Sequence, residues 1–174
     1  PESAFQPARV RYIDSVGWVI PLAQPTPLTS PMHYKVPESA LVVVYSKDQF
    51  LLLERSDRPG YWQSVTGSRD VHETIEQTAA RELKEETGIV AKQFEEIMQL
   101  HLSNSATNEH AFVFLATDLT FEEAEPEETE DLKVKKVHIN EAFEMVMKGE
   151  ITDGISVAAI FKVKYLIDKG ELKF

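Results

Sequence analysis

Three glutamates near the middle of the chain have a spacing that suits metal chemistry. Glu82, Glu85 and Glu86 stand at positions i, i+3 and i+4 of a stretch without glycine or proline, so a helix places their carboxylates on one face. Like charges at this spacing repel each other, and a bound divalent cation would offset the repulsion. Hard oxygen ligands favour Mg²⁺, or Mn²⁺ in its place, over zinc. The alternative interpretation is an acidic helix face that contacts only solvent.

Fixed positions on both sides of these glutamates form a longer motif. Gly67, Glu73 and the run 81–89 (RELKEETGI) match every constrained position of the Nudix box, so the chain resembles the Nudix hydrolase superfamily over roughly residues 36–168. The resemblance implies an α+β fold, an α/β/α sandwich around a mixed β-sheet that carries a catalytic loop–helix–loop. It also implies that divalent cations bound by this segment polarise a diphosphate while water attacks phosphorus.

The resemblance assigns roles to individual residues of the box. Glu82 and Glu86 are expected to bind the metal directly, and Glu85 directly or through water, with a part in catalysis. Arg81 is expected at the catalytic site, where it pairs with the loop glutamate of the box and fixes the helix. Gly67 is expected to let the backbone approach the metal, so that a nearby carbonyl oxygen becomes a ligand.

A second acidic cluster lies at residues 122–131 (EEAEPEETED), which carry seven acids and no base. In the ADP-ribose and nucleoside-diphosphate-sugar branch of the superfamily, a loop before the last strand supplies a catalytic glutamate and sometimes a further metal ligand. The resemblance therefore implies that Glu128 is the general base and that Glu130 is a metal ligand. Glu127 is the rival for the base, and a solvated loop without either role is the alternative interpretation.

Five residues outside the box are candidates for substrate binding. Arg55 and Arg58 would hold a terminal phosphate through charge-assisted hydrogen bonds. Trp62 would stack on a base or belong to the core, and Gln63 would bond a base edge or face solvent. Glu109, at the end of a polar loop, would contact substrate or metal.

Two parts of the chain favour different substrates. Residues 128–137 and 148–160 resemble the ADP-ribose branch, which predicts hydrolysis of ADP-ribose or a nucleoside diphosphate sugar to a nucleoside monophosphate and a sugar phosphate. Residues 35–45 and 61–68 resemble dihydroneopterin triphosphate pyrophosphatases, which predicts that a nucleoside or pterin triphosphate is hydrolysed and pyrophosphate released. We favour the first because the C-terminal half would hold the base and the distal substrate contacts. A non-catalytic Nudix-fold nucleotide-binding module ranks last, since the box is intact.

Hydrophobic periodicity predicts the elements that position these residues. Strands are predicted at 40–46, 49–56, 61–66, 94–103, 110–119 and 132–139, and helices at 74–86, 141–148 and from 153 to about 167. Ile75, Ala79 and Leu83 form the apolar stripe of the first helix. Asn140 and Asp153 are the predicted N-caps of the later helices, and Val157, Ile160, Phe161 and Leu166 the predicted apolar face of the last one.

Residues 1–35 are predicted to form an N-terminal arm, and residues 36–174 the hydrolase domain. Residues 10–20 have the composition of strands, whereas residues 21–31 carry four prolines, which disfavour a helix or a central strand. The ADP-ribose branch commonly forms dimers with exchanged N-terminal strands. The resemblance therefore implies a homodimer, with Trp18 as an interface aromatic.

Composition narrows the class of protein. A chain of 174 residues that is 43% hydrophobic is long enough and apolar enough for one globular core. The net charge of −11 disfavours bulk nucleic acid as a partner, and no apolar run is long enough to predict a membrane span or a signal peptide. Cysteine is absent, which excludes disulfides and thiolate catalysis and fits a reducing compartment. We therefore expect a cytoplasmic enzyme that acts on a small-molecule nucleotide.

Overall fold

The structure is a computed structural model that describes residues 11–13, 17–19, 36–46, 49–56, 58–103, 105–122 and 132–172. It divides into two compact units, Pro1–His33 and Tyr34–Phe174. In the first unit, strands β1 (Arg11–Ile13) and β2 (Gly17–Val19) form an antiparallel pair. Exchange of this arm between subunits stays a prediction.

The described residues of the second unit form a seven-stranded mixed sheet and three helices. Its strands are β3 (Glu38–Ser46), β4 (Gln49–Arg55), β5 (Trp62–Gln63), β6 (Val65–Ser68), β7 (Ile89–His101), β8 (His110–Phe121) and β9 (Leu132–His138). Its helices are α1 (Ile75–Thr87), α2 (Ile139–Lys148) and α3 (Gly154–Asp168). The sheet order is β5-β4-β3-β8-β7, with β6 beside β3 and β9 beside β4. Among the strand pairs that the structure describes in this sheet, β3–β8 alone is parallel, so the predicted mixed sheet is confirmed.

The two faces of β3 pack against different helices. Leu41 and Val43 belong to the core cluster beneath α2 and α3, whereas Val42 and Val44 belong to the cluster beneath α1. Successive side chains of a strand point to opposite faces, so an unbroken apolar run of this kind must be covered on both sides. The predicted α+β sandwich is therefore confirmed.

The prediction of one continuous strand at residues 61–66 is wrong. Residues 61–66 form two short strands rather than one: β5 pairs with β4, and β6 pairs with β3. At the break, the Ser64 backbone N–H donates to Ser156 Oγ of α3 at 2.9 Å instead of to a neighbouring strand. The break lets the chain cross from one strand of the sheet to another just before it reaches Gly67.

Helix ends agree with the sequence in part. Asp153 caps α3 as predicted, its Oδ2 accepting from the Ser156 N–H at 2.9 Å. The predicted Asn140 cap of α2 is wrong, because His138 takes that position and its Nδ1 accepts from the Asn140 N–H at 3.1 Å. Phe161 was expected on the apolar face of α3 but is 43% exposed. None of the helices in the described part of the chain combines the length and the hydropathy needed to cross a membrane.

Candidate active site

Helix α1 is held at both ends by local interactions. Thr74 and Gln77 form a capping box, in which Gln77 Oε1 accepts from the Thr74 N–H at 2.8 Å and Thr74 Oγ1 accepts from the Gln77 N–H at 3.3 Å. Gly88 ends the helix with φ 68°, a left-handed conformation that favours glycine. Ala79 and Leu83 are fully buried against the sheet. These constraints fix the rotation of α1 and so the direction of its glutamates.

Gly67 lies in direct contact with the predicted metal-binding face of α1. A Cβ atom at this position would stand only 1.9 Å from both Cδ and Oε1 of Glu82. Every other residue type would therefore push the Glu82 carboxylate away from strand β6. The backbone of Gly67 thus lies close to Glu82, and its approach to a metal ion stays a prediction.

Arg81 is surrounded by three carboxylates of the box. Its Nε and Nη2 donate to Glu73 Oε1 at 2.7 Å and Oε2 at 3.1 Å, a bidentate arrangement. Its Nη1 donates to Glu82 Oε1 at 2.8 Å and to Glu85 Oε2 at 3.0 Å. The predicted Arg81–Glu73 pair is confirmed. The contacts with Glu82 and Glu85 were not expected, because a spacing argument does not give the rotamer of the arginine.

These contacts shift the titration of both partners in the pair. Hydrogen bonds from Arg81 lower the pKa of the Glu73 carboxyl, against the opposing effect of partial burial, and Thr78 Oγ1 adds a further bond at 2.9 Å. The hydrogen bonds with Glu73 raise the pKa of the Arg81 guanidinium, also against partial burial. Both groups therefore stay charged at neutral pH. Arg81 supplies part of the positive charge that the crowded carboxylates require.

The donor set of α1 fits a hard divalent cation. Glu82, Glu85 and Glu86 offer carboxylate oxygens, and Glu86 is buried, so the group lies at the interface between helix and sheet rather than on a freely solvated face. Within the described residues, no three Asp, Glu or His side chains already converge as a metal site. Glu82 and Glu85 instead face Arg81. A cation would have to share these two carboxylates with the guanidinium, and the roles of the three as ligands stay predictions.

The acidic segment that holds the predicted base lies outside the described residues. Glu128, Glu130 and the rival Glu127 all fall within residues 123–131, so their roles stay predictions. Its flanks are described. Glu122 donates its N–H to Gly88 O at 2.7 Å, at the end of α1, and Leu132 stands opposite Arg55 at the start of β9. The two described neighbours of the segment therefore lie at the end of the box helix and beside the strand end that carries Arg55.

Four of the five predicted substrate-binding residues meet in one cleft. Its volume is about 590 Å³, and its lining residues are Arg55, Arg58, Tyr61, Trp62, Gln63, Thr152 and Asp153. Two arginines, two aromatic rings and polar side chains suit a ligand with phosphates and a ring system. Sequence reasoning missed Tyr61, Thr152 and Asp153. The last had been identified only as a helix cap, and the contribution of the α2–α3 loop depends on the tertiary fold.

Trp62 packs against the core and also lines the cleft, whereas its stacking on a base stays a prediction. It lines the cleft and is half-buried, packed against the core cluster beneath α2 and α3. Its backbone N–H donates to Glu150 O at 3.1 Å, and Lys135 Nζ lies 5.6 Å from its ring centroid. The ring is therefore fixed in place by the core while one part of it remains at the cleft wall.

Glu109 is not among the residues that line this cleft. Its Oε1 accepts from Ser39 Oγ at 2.5 Å, where β3 and β8 begin side by side. Next to it, His110 at the start of β8 stacks on His101 at the end of β7, with ring centroids 4.5 Å apart. The role of Glu109 as a substrate or metal contact stays a prediction.

Comparison with known proteins identifies similar chains. Residues 35–155 match the NUDIX domain family. Dihydroneopterin triphosphate diphosphatase of Escherichia coli (strain K12) is 53% identical over 58 residues, which cover 32% of this chain and 39% of that protein. ADP-ribose pyrophosphatase of Bacillus subtilis (strain 168) is 35% identical over 96 residues, which cover 54% of this chain and 52% of that protein.

A solved structure shows the same fold. It is described as "Crystal structure of ADP compounds hydrolase", and it superimposes with a TM-score of 0.67 at 24% identity, covering 78% of this chain and 75% of that one. At this identity the likeness concerns the fold alone. The chain spans only 39% and 52% of the lengths of the two curated relatives, so their activities are not transferred by similarity alone.

Proposed function

The chain belongs to the NUDIX domain family, and we propose that it hydrolyses a phosphoanhydride bond in a nucleoside diphosphate linked to another moiety. The preferred substrate is ADP-ribose or a nucleoside diphosphate sugar, with a nucleoside monophosphate and a sugar phosphate as products. The observation that carries the proposal is the group of box carboxylates held by Arg81 beside Gly67. A Cβ at position 67 would displace the Glu82 carboxylate. A surface that only kept the protein in solution would not require glycine there.

The ion, Mg²⁺ or Mn²⁺, would be held by Glu82, Glu85 and Glu86. Glu130 and a backbone carbonyl oxygen near Gly67 would be further ligands. Bound divalent ions neutralise phosphate charge and lower the pKa of water. The chain itself contributes the orientation of these carboxylates. Arg81 fixes Glu82 and Glu85 through Nη1, at 2.8 and 3.0 Å, and the bidentate bond to Glu73 fixes Arg81 in turn.

The remaining roles follow the chemistry of the side chains. Arg55 and Arg58 bind the phosphate that is farther from the box, because a guanidinium makes strong paired hydrogen bonds to phosphate oxygens. Trp62 and Gln63 contact the ring system of the substrate. Glu128 acts as the general base and takes the proton of the attacking water, because a carboxylate among several cationic groups stays ionised at neutral pH. Glu85 assists at the same site.

A second candidate substrate is a pterin or nucleoside triphosphate, cleaved with release of pyrophosphate. It is favoured by the dihydroneopterin triphosphate diphosphatase of E. coli, which is more similar to this chain than the B. subtilis ADP-ribose pyrophosphatase is, but over a shorter stretch. The longer match favours the ADP-ribose assignment, because it covers more than half of this chain.

A product assay with Mg²⁺ separates the candidates. ADP-ribose should give AMP and ribose phosphate, and dihydroneopterin triphosphate or a deoxynucleoside triphosphate should give the monophosphate and inorganic pyrophosphate. Faster turnover of the triphosphates would overturn the substrate assignment while the reaction class stands. If the chain leaves every one of these anhydrides intact but still binds them, it is a nucleotide-binding module, and the proposed activity is wrong.

We also propose a homodimer in which the N-terminal arm is exchanged, with Trp18 at the interface, and a cytoplasmic location. The strand pair β1–β2 supports the first part, since a short isolated pair is only marginally stable without a partner. Sedimentation of the full chain should give the mass of a dimer, and removal of residues 1–35 should give a monomer. A full-length monomer would contradict the exchange.

A further inference from the structure

Glu54 is a buried carboxylate outside the Nudix box. It lies in β4 next to Arg55, is 8% exposed, and stands opposite Trp62 on β5 and Lys133 on β9. Its Oε1 accepts from the Gly60 backbone N–H at 2.5 Å, and its Oε2 accepts from Lys133 Nζ at 3.2 Å. These bonds, the one from Gly60 first, lower the pKa of the Glu54 carboxyl despite burial. A charged group at this depth has a definite structural task, because burial of a charge without partners is costly.

The Gly60 amide belongs to the turn that links β4 to β5 at the cleft. Within it, the Arg58 N–H donates to Arg55 O at 3.0 Å, and the Tyr61 N–H donates to Arg58 O at 3.2 Å. Gly60 has φ 91°, a conformation that L side chains rarely adopt. This backbone directs the Gly60 N–H at Glu54 while Arg58 and Tyr61 line the cleft. The Glu54 side chain thus links this turn to β4 through the Gly60 N–H.

We propose that Glu54 is a positioning residue, which holds the turn of residues 58–61 so that Arg55 and Arg58 form one binding place for the phosphates of an anionic ligand. The ligand class rests on the proposed function, but the arrangement of the turn does not. Lys133 is the weaker partner, because its side chain is 61% exposed and an exposed ion pair contributes little. The Gly60 N–H bond carries the positioning.

If Glu54 acted only through its charge, its removal would change anion binding in the opposite direction from the one that positioning predicts. A buried negative charge beside two arginines repels a phosphate, so removing that charge should strengthen binding. Positioning predicts that binding depends on an acceptor atom that reaches Gly60. Two substitutions separate the causes: Glu54→Gln removes the charge and keeps an acceptor of the same reach, whereas Glu54→Asp keeps the charge and is one methylene shorter.

Inorganic pyrophosphate is the probe, and its dissociation constant is measured by calorimetry on the full chain in EDTA, so that no metal or turnover enters. We expect Glu54→Asp to weaken binding about tenfold and Glu54→Gln to bind at least as tightly as the wild type. Arg58→Gln is the matched control for the cleft and should also weaken binding. A Glu54→Asp variant that binds like the wild type, a tenfold loss in Glu54→Gln, or a wild type that does not bind pyrophosphate would each overturn the proposal.

A second measurement separates a loosened turn from poor folding of Glu54→Asp, because exchange of the buried strand β3 should stay as slow as in the wild type. Hydrogen exchange of the peptide that spans residues 58–63 should be faster than in the wild type for Glu54→Asp and unchanged for Glu54→Gln. Faster exchange in Glu54→Gln would show that the charge, not the reach, holds the turn. The outcome is independent of catalysis: a chain that hydrolyses no anhydride but shows this difference loses the proposed function and keeps the role of Glu54.

Discussion

The box helix and the cleft between β4 and β5 use the same two kinds of side chain in opposite arrangements. On α1, one guanidinium, Arg81, is enclosed by the carboxylates of Glu73, Glu82 and Glu85. At the cleft, the Glu54 carboxylate is bonded to the turn of residues 58–61, and Arg55 and Arg58 line the cleft together with Asp153. The first arrangement concentrates negative charge for a cation, and the second presents positive charge to an anion. A metal-bound diphosphate needs both surfaces.

The strongest test of the cation surface is removal of its carboxylates. Glu82→Gln and Glu86→Gln should each lower kcat/KM by about 100-fold or more, because an amide is a poorer ligand for a hard cation than a carboxylate. Glu76→Gln, on the exposed side of the first turn of α1, is the matched control and should leave activity unchanged. Steady-state kinetics with saturating Mg²⁺ measures the effect. Full activity in the variant that carries both substitutions would show that these carboxylates do not bind an essential metal ion. The contrast between a cation surface and an anion surface would then be wrong.

Gly67→Ala tests whether the cation surface depends on the backbone of β6. The added Cβ would overlap Glu82, so the carboxylate must move, and we expect a free energy of unfolding lower by about 1–3 kcal/mol together with a large loss of activity. Gly154→Ala is the control, since no atom lies within 4 Å of a Cβ built there. Chemical denaturation measures the stability of both variants. Equal stability of Gly67→Ala and the wild type would show that Glu82 moves aside freely.

Arg81→Gln tests whether the ion pair between Arg81 and Glu73 stabilises the box helix and its loop. The native pKa of Glu73 is lowered, so its contribution to stability is complete above its unfolded pKa of about 4.3 and is lost as the pH falls through the lower native value. The variant should be less stable than the wild type by about 1.5–3 kcal/mol at pH 7, and the difference should shrink below about pH 4. Urea denaturation across this range measures it. A difference that is constant with pH would contradict the ion-pair explanation.

Trp62→Phe gives the smallest expected effect and concerns the anion surface. Phenylalanine keeps the packing against the core and loses part of the ring at the cleft wall, so we expect KM to rise about threefold while kcat is unchanged. Gln63→Ala offers a comparison in which only a polar contact is lost. A fall in kcat in Trp62→Phe, without a change in KM, would show that the cleft takes part in the reaction rather than in binding.

The two surfaces differ in how far the sequence predicts them. The box helix follows from local spacing: the capping box joins residues three apart, and the glutamate face and apolar stripe repeat within two turns. The unbroken apolar run along β3 likewise indicates a strand that is covered on both faces. Information of this kind lies within short windows of the chain, so the fold and the glutamate face of α1 could be predicted, whereas metal binding by that face stays a prediction.

The cleft could be predicted only in part. Arg55, Arg58, Trp62 and Gln63 are close in sequence, but Thr152 and Asp153 come from the α2–α3 loop. The break at Ser64 depends on Ser156, which is 92 residues away. The bond from Glu54 to Gly60 depends on the left-handed backbone of a turn. Contacts between distant segments and individual rotamers leave no periodic signal, which is why Glu54 and the three-way pairing of Arg81 emerge only from the structure.

The enclosure of Arg81 by carboxylates bears on whether the protein folds before or after it binds metal ions. A guanidinium is attached to the chain, so α1 carries its own permanent counter-ion from the moment of synthesis. We therefore expect the domain to fold before it binds the divalent ions proposed above. A chelator should abolish the proposed activity without unfolding the protein.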